Sequence, residues 1–363
     1  MKFRCERDVL AKAIAPVGRA VTTRPATPIL SGLHLRVAGD VLTITATDGD
    51  LSIRNDVTVS GLDDGVAVLP AKLFGEVVKA MPPGPVELTL NESEARLTAG
   101  RTSVGMTVLP EEQFPQLSGP SGEGVTLDTA ELADALRQVV PAASKDPARP
   151  VLGGVLLEAD GDNIQLVATD SYRLAVRSVA RAGLLADGQS VLVPATVLAE
   201  VSRAIATVPQ VTLHLGERQV FFRAGDLRFA ARLISGAFPA YKSLIPTSRP
   251  NAAVLPSAAL GEALKRVKLL AVDAAPVLFA FEADKVTLSA VANEIGSASE
   301  EVEIVYSGDA MTIGMNPDYL RAGIDAVNAE TVRMSLMSAI KPILIGADAD
   351  DSLTYVVMPV RVS

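Results

Sequence analysis

Few residues in this chain stand in a pattern that supports covalent or metal chemistry. The two histidines occur as Leu33-His34-Leu35 and Leu213-His214-Leu215 inside alternating stretches. Alternation sends successive strand side chains to opposite faces, so solvated strand histidines are expected rather than catalytic bases. Asp348-x-Asp350-Asp351 has the acid spacing of a calcium loop but lacks its turn glycine and bidentate glutamate, so a solvated hairpin turn is expected there. No glycine is followed by lysine, which removes a Walker A loop, and GxSxG, HExxH and CxxC are absent. The single cysteine, Cys5, has no partner for a disulfide or a metal cluster. Asp170 and Arg173 are the polar pair that a small-molecule enzyme built in an interdomain cleft would use, but no nucleophile and base accompany them. The expectation is a chain with no catalytic residue, no metal and no cofactor.

What the sequence does carry is basic charge at helical spacing. Lys12 and Arg19 are seven apart, as are Lys72 and Lys79, so each pair shares a helical face about two turns apart. Arg137, Arg203, Lys265, Arg266, Lys268 and Arg321 extend the trend. Acidic residues fall more in turns and strands: Asp63-Asp64, Glu92, Glu94, Asp160, Asp162, Glu300-Glu301 and Glu303. A formal net charge of −9 argues against a simple basic nucleic-acid binder, so the segregation of charge matters more than its sum.

The elements that carry these residues recur three times. The alternating stretch Leu42–Asp48 returns at Ile164–Asp170 and again at Val286–Ala292, at a spacing of 122 residues each time. A strand ending in proline before a helical pattern appears at Pro70, Pro194 and Pro317, and an opening Pro-Ile/Val-Leu at Pro28, Pro150 and Pro276. Three independent landmarks near one period mark a triplication. Each copy reads as helix, strands, helix, strands. The first helix shows Leu10, Ala13, Ile14, Val17 and Val21 in copy one, Leu132, Leu136, Val139 and Val140 in copy two, and Leu260, Leu264 and Val267 in copy three. The second helix has proline in its first turn, and in copy one its apolar stripe is Leu73, Phe74, Val77, Val78 and Met81. Linkers rich in Pro, Gly and Ser place the domains at 1–120, 121–247 and 248–363.

Length and composition agree. A chain of 363 residues exceeds a single core, and 48% hydrophobic residues leave ample material for several. The N-terminus MKFRCERDVL lacks the apolar region of a signal peptide, and no apolar run approaches the ~20 residues that span a bilayer. A cytoplasmic location is expected.

With these residues in view, the chain resembles the bacterial DNA polymerase III beta subunit family, the sliding clamps, in an actinobacterial-like form. The resemblance rests on MKFRCERDVL, on Arg24-Pro25-Ala26-Thr27-Pro28-Ile29-Leu30, on LVATDSYRLAV at 166–176, on FPAYKSLIP at 238–246 and on the terminal YVVMPVRVS. It implies an α+β fold of three tandem clamp units, each two helices backed by antiparallel sheet, and a head-to-tail homodimer that closes a ring. Geometry agrees: six helices of ~10 Å diameter side by side leave a hole of only ~9 Å, whereas twelve leave ~28 Å. Only the larger hole passes a duplex whose grooves are each about 8 Å deep.

The resemblance further implies double-stranded DNA held without sequence preference. Arg24 matches a contact position of the family, and Lys145 and Arg149 stand in the second contact loop. It implies a pocket for short linear peptides from the polymerase III alpha subunit, the clamp loader, other polymerases and repair proteins. The matching positions are Leu152, Thr169, Tyr172, Arg173, Leu174, Pro239, Leu244, Asn316, Tyr319, Ile340, Pro342, Val356, Val357, Met358, Pro359, Val360 and Arg361, with Ser171 and Ser243 at pocket positions of variable type. The dimer joint would pair Val104 and Met106 with Leu269 and Leu270 of the other subunit. A variant or duplicate clamp is the alternative within the family, and the interdomain-cleft enzyme the alternative outside it.

Overall fold

The structure, a computed structural model, describes residues 1–22, 27–91, 93–117, 119–120, 123–180, 183–272, 275–347 and 352–361. Arg24, Glu92 and the Asp348, Asp350 and Asp351 cluster lie outside the described residues. The first repeat runs β1 (Lys2–Glu6), α1 (Arg7–Val17), β2 (Gly32–Ala38), β3 (Val41–Thr47), β4 (Leu51–Thr58), β5 (Ser60–Asp63), β6 (Gly65–Pro70), α2 (Ala71–Ala80), β7 (Pro85–Asn91), β8 (Glu94–Ala99) and β9 (Thr102–Thr107). The second runs β10 (Val125–Asp128), α3 (Thr129–Val139), β11 (Gly154–Asp160), β12 (Asn163–Thr169), β13 (Arg173–Ala180), β14 (Ser190–Pro194), α4 (Ala195–Ile205), β15 (Gln210–Leu215), β16 (Gln219–Ala224) and β17 (Leu227–Arg232). The third runs β18 (Asn251–Pro256), α5 (Ser257–Val267), β19 (Val277–Phe281), β20 (Lys285–Ala292), β21 (Gly296–Glu303), β22 (Val305–Ser307), β23 (Met311–Met315), α6 (Pro317–Val327), β24 (Thr331–Leu336), β25 (Ile343–Gly346) and β26 (Leu353–Val357).

The triplication read from the sequence is therefore present, with one addition. Each copy opens on a short strand before its first helix, and that strand pairs with the one after the second helix: β1 with β7, β10 with β15, β18 with β24. These openers are too short to show a period of their own, and their pairing is long-range in sequence.

The chain divides into two compact units, residues 1–130 with 200–233 and residues 131–199 with 234–363. The first unit holds two antiparallel sheets, ordered β5-β1-β7-β8-β9 and β10-β15-β16-β17-β4-β3-β2-β6. The second holds β14-β11-β12-β13-β26-β25-β24-β18-β22 and β21-β20-β19-β23. The eight-stranded sheet is a fusion: β17 of the middle repeat pairs with β4 of the first, from Leu227 opposite Asn55 to Ala231 opposite Leu51. The nine-stranded sheet repeats the device, with β26 of the third repeat against β13 of the second, from Arg173 opposite Val357 to Arg177 opposite Leu353.

Alternation fills the covered faces. In the first unit Ile44, Ile53, Phe222 and Phe229 are fully or almost fully buried, and Phe222, Phe229 and Ile53 sit in opposed register across the fusion seam. Helix α1 presses Leu10, Ala13, Ile14 and Val17 into the core, and α5 does the same with Leu260, Ala263, Leu264 and Val267. In α2, Phe74 and Val78 are buried but Leu73 is exposed, because a one-residue step turns about 100° around the helix and carries it off the stripe.

Two sequence expectations change. Pro70 and Pro194 end their strands at the residue before the helix, and only Pro317 occupies the first helical turn, where Asn316 caps it by accepting from the amides of Asp318 and Tyr319. Proline lacks the N–H that either position would leave unpaired and its fixed φ suits both, so pattern alone does not separate them. The histidines are half-buried rather than solvated. The His34 ring lies 4.9 Å from Phe114, burial pushes its pKa down, and the His214 ring packs so closely on Gly124 that a Cβ there would come within 2.5 Å of it. The chain that leaves the first repeat covers the face on which they lie.

The fusion seam is where the first unit is most exposed to a packing defect. Phe229→Ala is expected to cost about 3–5 kcal/mol, read as a lower urea midpoint; a midpoint unchanged from wild type would mean that the seam is not a core.

Candidate functional site

The second unit concentrates the residues picked out by sequence around one turn. Between β12 and β13 the chain reverses through Asp170, Ser171 and Tyr172, with Ser171 at φ 79°, in the left-handed region that serine seldom adopts. Asp170 holds that turn. It is 8% exposed, its Oδ1 accepts from the amides of Tyr172 (2.9 Å) and Arg173 (3.0 Å), and its Oδ2 accepts from Arg173 Nε (3.0 Å). Thr169 braces the turn from below, donating to the Arg173 carbonyl and accepting from the Ser171 amide.

Arg173 joins the turn to the third repeat. Its Nη1 lies 3.5 Å from the Tyr355 hydroxyl, and its guanidinium carbon lies 4.8 Å over the Tyr319 ring. Burial works against the Arg173 charge, but Tyr355 and Asp170 outweigh it and hold its pKa above the ordinary value. Desolvation likewise raises the pKa of the buried Tyr355 hydroxyl, which stays protonated. Tyr172 is 55% exposed and stacks on Tyr319 at 6.1 Å with the planes 19° apart. Asn316, by capping α6, orients the helix turn that presents Tyr319.

Beside this aromatic step is an apolar floor. Leu156, Val167, Leu174, Val176, Leu192, Tyr241, Leu344 and Val356 form one buried cluster, with Val151, Phe238 and Leu244 among the half-buried residues packed on it. The C-terminal segment borders it: the Met358 amide donates to the Tyr172 carbonyl and the Val360 amide to the Gly314 carbonyl, both at 2.8 Å. Met358, Pro359 and Val360 are half-buried and Arg361 exposed, so an apolar rim ends in a cation. Such a surface has side chains that bury apolar anchors and main-chain edges that orient an extended peptide. Its ion pair between the buried Asp170 and the half-buried Arg173 is closed upon itself.

Comparison with known proteins bears on this arrangement. The N-terminal, central and C-terminal domains of the DNA polymerase III beta subunit match residues 1–118, 126–240 and 242–361. The chain belongs to the DNA polymerase III beta subunit family. It is 34% identical to a beta sliding clamp of Streptomyces coelicolor, with all of both chains covered, and 30% identical to the beta sliding clamp homolog GriR of Streptomyces muensis over 99% of each. Among solved structures it is similar to a DnaN sliding clamp from Pseudomonas aeruginosa bound to griselimycin, at a TM-score of 0.92 and 27% identity with both chains fully covered. The fold is that of the family, three tandem clamp units.

Within this beta-subunit fold most of the residues picked out by sequence come together. Leu174, Leu244 and Val356 share the floor; Tyr172, Arg173 and Tyr319 form the aromatic step; Thr169 and Asn316 support it; Val357 pairs with Arg173. Leu152 and Val357 are buried, while Pro239 and Ile340 are exposed and Pro342 half-buried. Tyr241, which donates to Glu158 at 2.8 Å, and Tyr355 were missed, although a tyrosine inside an apolar run needs a partner for its hydroxyl.

The two described members of the set expected to contact DNA differ. Lys145 is exposed, whereas Arg149 binds Asp146 at 2.9 Å and reaches the Asp170 carbonyl (3.2 Å) and the Ser171 hydroxyl (3.3 Å). Of the four residues proposed for the joint, Leu269 is 76% exposed, Val104 and Leu270 are half-buried and Met106 is buried, so Met106 offers a joint its main chain only. Val291 and Ile295, exposed beside β21, were also missed; both are large apolar residues where a solvated hairpin would carry polar ones.

Removing the carboxylate that holds the turn should be costly. Asp170→Ala leaves the Arg173 guanidinium buried without its partner, and a loss of about 3 kcal/mol is expected in urea unfolding, together with faster hydrogen exchange at the Tyr172 and Arg173 amides; exchange as slow as wild type would refute the role of Asp170.

Proposed function

We propose that this chain is a DNA sliding clamp, a processivity factor that encircles duplex DNA as a head-to-tail homodimer and tethers the replicative polymerase through the pocket of the second unit. One observation carries the reading. Within the chain, the last strand of one repeat pairs twice with the third strand of the β-meander of the repeat before it, β17 on β4 and β26 on β13. The two strands left over in that scheme are β9 and β21, and each is the outermost strand of its sheet. Each subunit's β9 would then complete the sheet of its partner at β21, a heterologous contact that closes on itself when two copies meet. Leu269, Leu270, Val291 and Ile295 border β21, and Val104 lies on β9.

The six α-helices of one chain would supply half of a ring wide enough for duplex DNA. Lys12, Lys72 and Lys79 have no ion pair among the described residues and are free to face phosphates. Contact would be loose and without sequence preference, with Arg24, Lys145 and Arg149 added at the loops. The domains would meet near residues 120 and 247. The polymerase III alpha subunit, the clamp loader, other polymerases and repair proteins are the proposed sources of the peptide, in the cytoplasm, and holding rather than catalysis is the proposed role. Likeness to the homolog GriR supports a second reading, a variant or duplicate clamp, which a count of clamp genes in the genome would test.

Pocket and ring should be separable. Replacing Met358 with Ala and removing residues 360–363 is expected to weaken a polymerase-tail peptide by ~2 kcal/mol or more in fluorescence anisotropy, while the variant stays on nicked circular DNA and leaves it when the circle is linearised. Full peptide affinity in this variant would overturn the pocket, and equal retention on linear and circular DNA would overturn encirclement.

A further inference from the structure

The face of the eight-stranded sheet that bears His34 and His214, covered only in part by the chain that leaves the first repeat, carries an unusual alignment of charge. Register places Arg54 of β4 directly opposite Arg228 of β17, and Arg228 directly opposite Arg223 of β16. Three arginine side chains thus rise from opposed positions on neighbouring strands, which run about 4.8 Å apart. Like charges directly opposite each other destabilise a sheet, so such a ladder persists only where counter-charge offsets it.

The chain supplies part of that counter-charge. Asp56, on β4, accepts from Arg54 Nε (3.0 Å) and from Arg228 Nη1 (2.7 Å), and Thr43 donates to it at 2.7 Å. Burial works against the Asp56 charge, but Thr43 and the two arginines outweigh it and hold the carboxyl below its ordinary pKa. Arg223 and Arg36 are exposed and have no ion pair among the described residues. Phe221, on the same face of β16 two residues from Arg223, is half-buried and leaves an aromatic surface beside the ladder.

We propose that this face docks an acidic, extended segment of a partner protein, whose carboxylates pair with Arg223 at the end of the ladder and with Arg36, which stands on the same face opposite Thr43. Asp56 already shows the geometry: a carboxylate received by the fork of one arginine and the tip of the next. Arginines beside an aromatic ring are the residues that anchor protein interfaces. Nucleic acid fits less well, because a backbone charged at every step would meet Asp56 at the centre of the cluster. The proposal does not depend on the clamp reading, since it uses a sheet of the first unit that contains neither β9 nor β21, whereas the pocket residues belong to the second unit.

The test uses the full chain and fluorescein-labelled octaglutamate in low salt. The variant Arg36→Thr/Arg223→Thr breaks no ion pair among the described residues and keeps residues suited to strands, so its melting temperature should equal or exceed that of wild type as repulsion is relieved. Peptide affinity should fall about tenfold or more, while Lys72→Ser/Lys79→Ser leaves it within about twofold, a difference of roughly 0.4 kcal/mol. Unchanged affinity in the arginine variant, or an equal fall in the lysine variant, would overturn the site. Loss of duplex DNA binding in the arginine variant with peptide binding intact would assign the face to nucleic acid, and loss of a concentration-dependent self-association would assign it to a second copy; either result overturns the proposal.

Discussion

A strand at the edge of a sheet leaves a row of main-chain donors and acceptors without partners, and that constraint organises this protein. Each repeat ends on a strand that needs a neighbour and contains another with a side to offer. Twice the chain satisfies both needs internally, joining β17 to β4 and β26 to β13. Fusing sheets across repeats removes edges that would otherwise invite aggregation and extends one core under both partners. It also explains why the compact units do not coincide with the repeats: the middle repeat gives one set of strands to each unit. The same pairing scheme leaves β9 and β21, two of the outermost strands, as the pair at which a second copy is proposed to join.

The fusion at β13 and β26 also builds the surface proposed to take a peptide. Bringing Arg173 opposite Val357 places the turn at 170–172 beside the C-terminal segment, so Met358 hydrogen-bonds to Tyr172 and the Leu174 and Val356 side chains enter one cluster. Asp170 and Arg173 then serve geometry, fixing a serine in a left-handed conformation and aiming two tyrosines. A polar pair that looks like chemistry in one dimension is architecture in three.

Much of this was legible in the sequence, for identifiable reasons. The triplication, the helices and their buried stripes follow from periodicity, and Leu10, Ile14 and Val17 or Leu260 and Leu264 are where the spacing puts them. The residues proposed for the pocket were picked out through family resemblance alone, since they lie between 152 and 361 and nothing local links them. The opening strands were not legible, because four to six residues carry no period and their partners on the strand after the second helix lie 75–88 residues away. The burial of His34 and His214 depends on a linker that returns over the sheet, and the arginine ladder depends on cross-strand register; neither is a property of any single segment. The resemblance puts Arg149 in a DNA-contact loop, and its Asp146 and Ser171 partners there are a matter of loop geometry.

Charge takes its place within this frame. A net charge of −9 is compatible with holding DNA when the holding is topological and the cations that matter are few and free. The account stands or falls on two subunits completing each other's sheets at β9 and β21, and the direct measurement is molar mass by light scattering across a range of micromolar concentrations. The account predicts a single species of twice 37.8 kDa. A species of 37.8 kDa that does not grow with concentration would contradict it, because six helices cannot enclose a duplex.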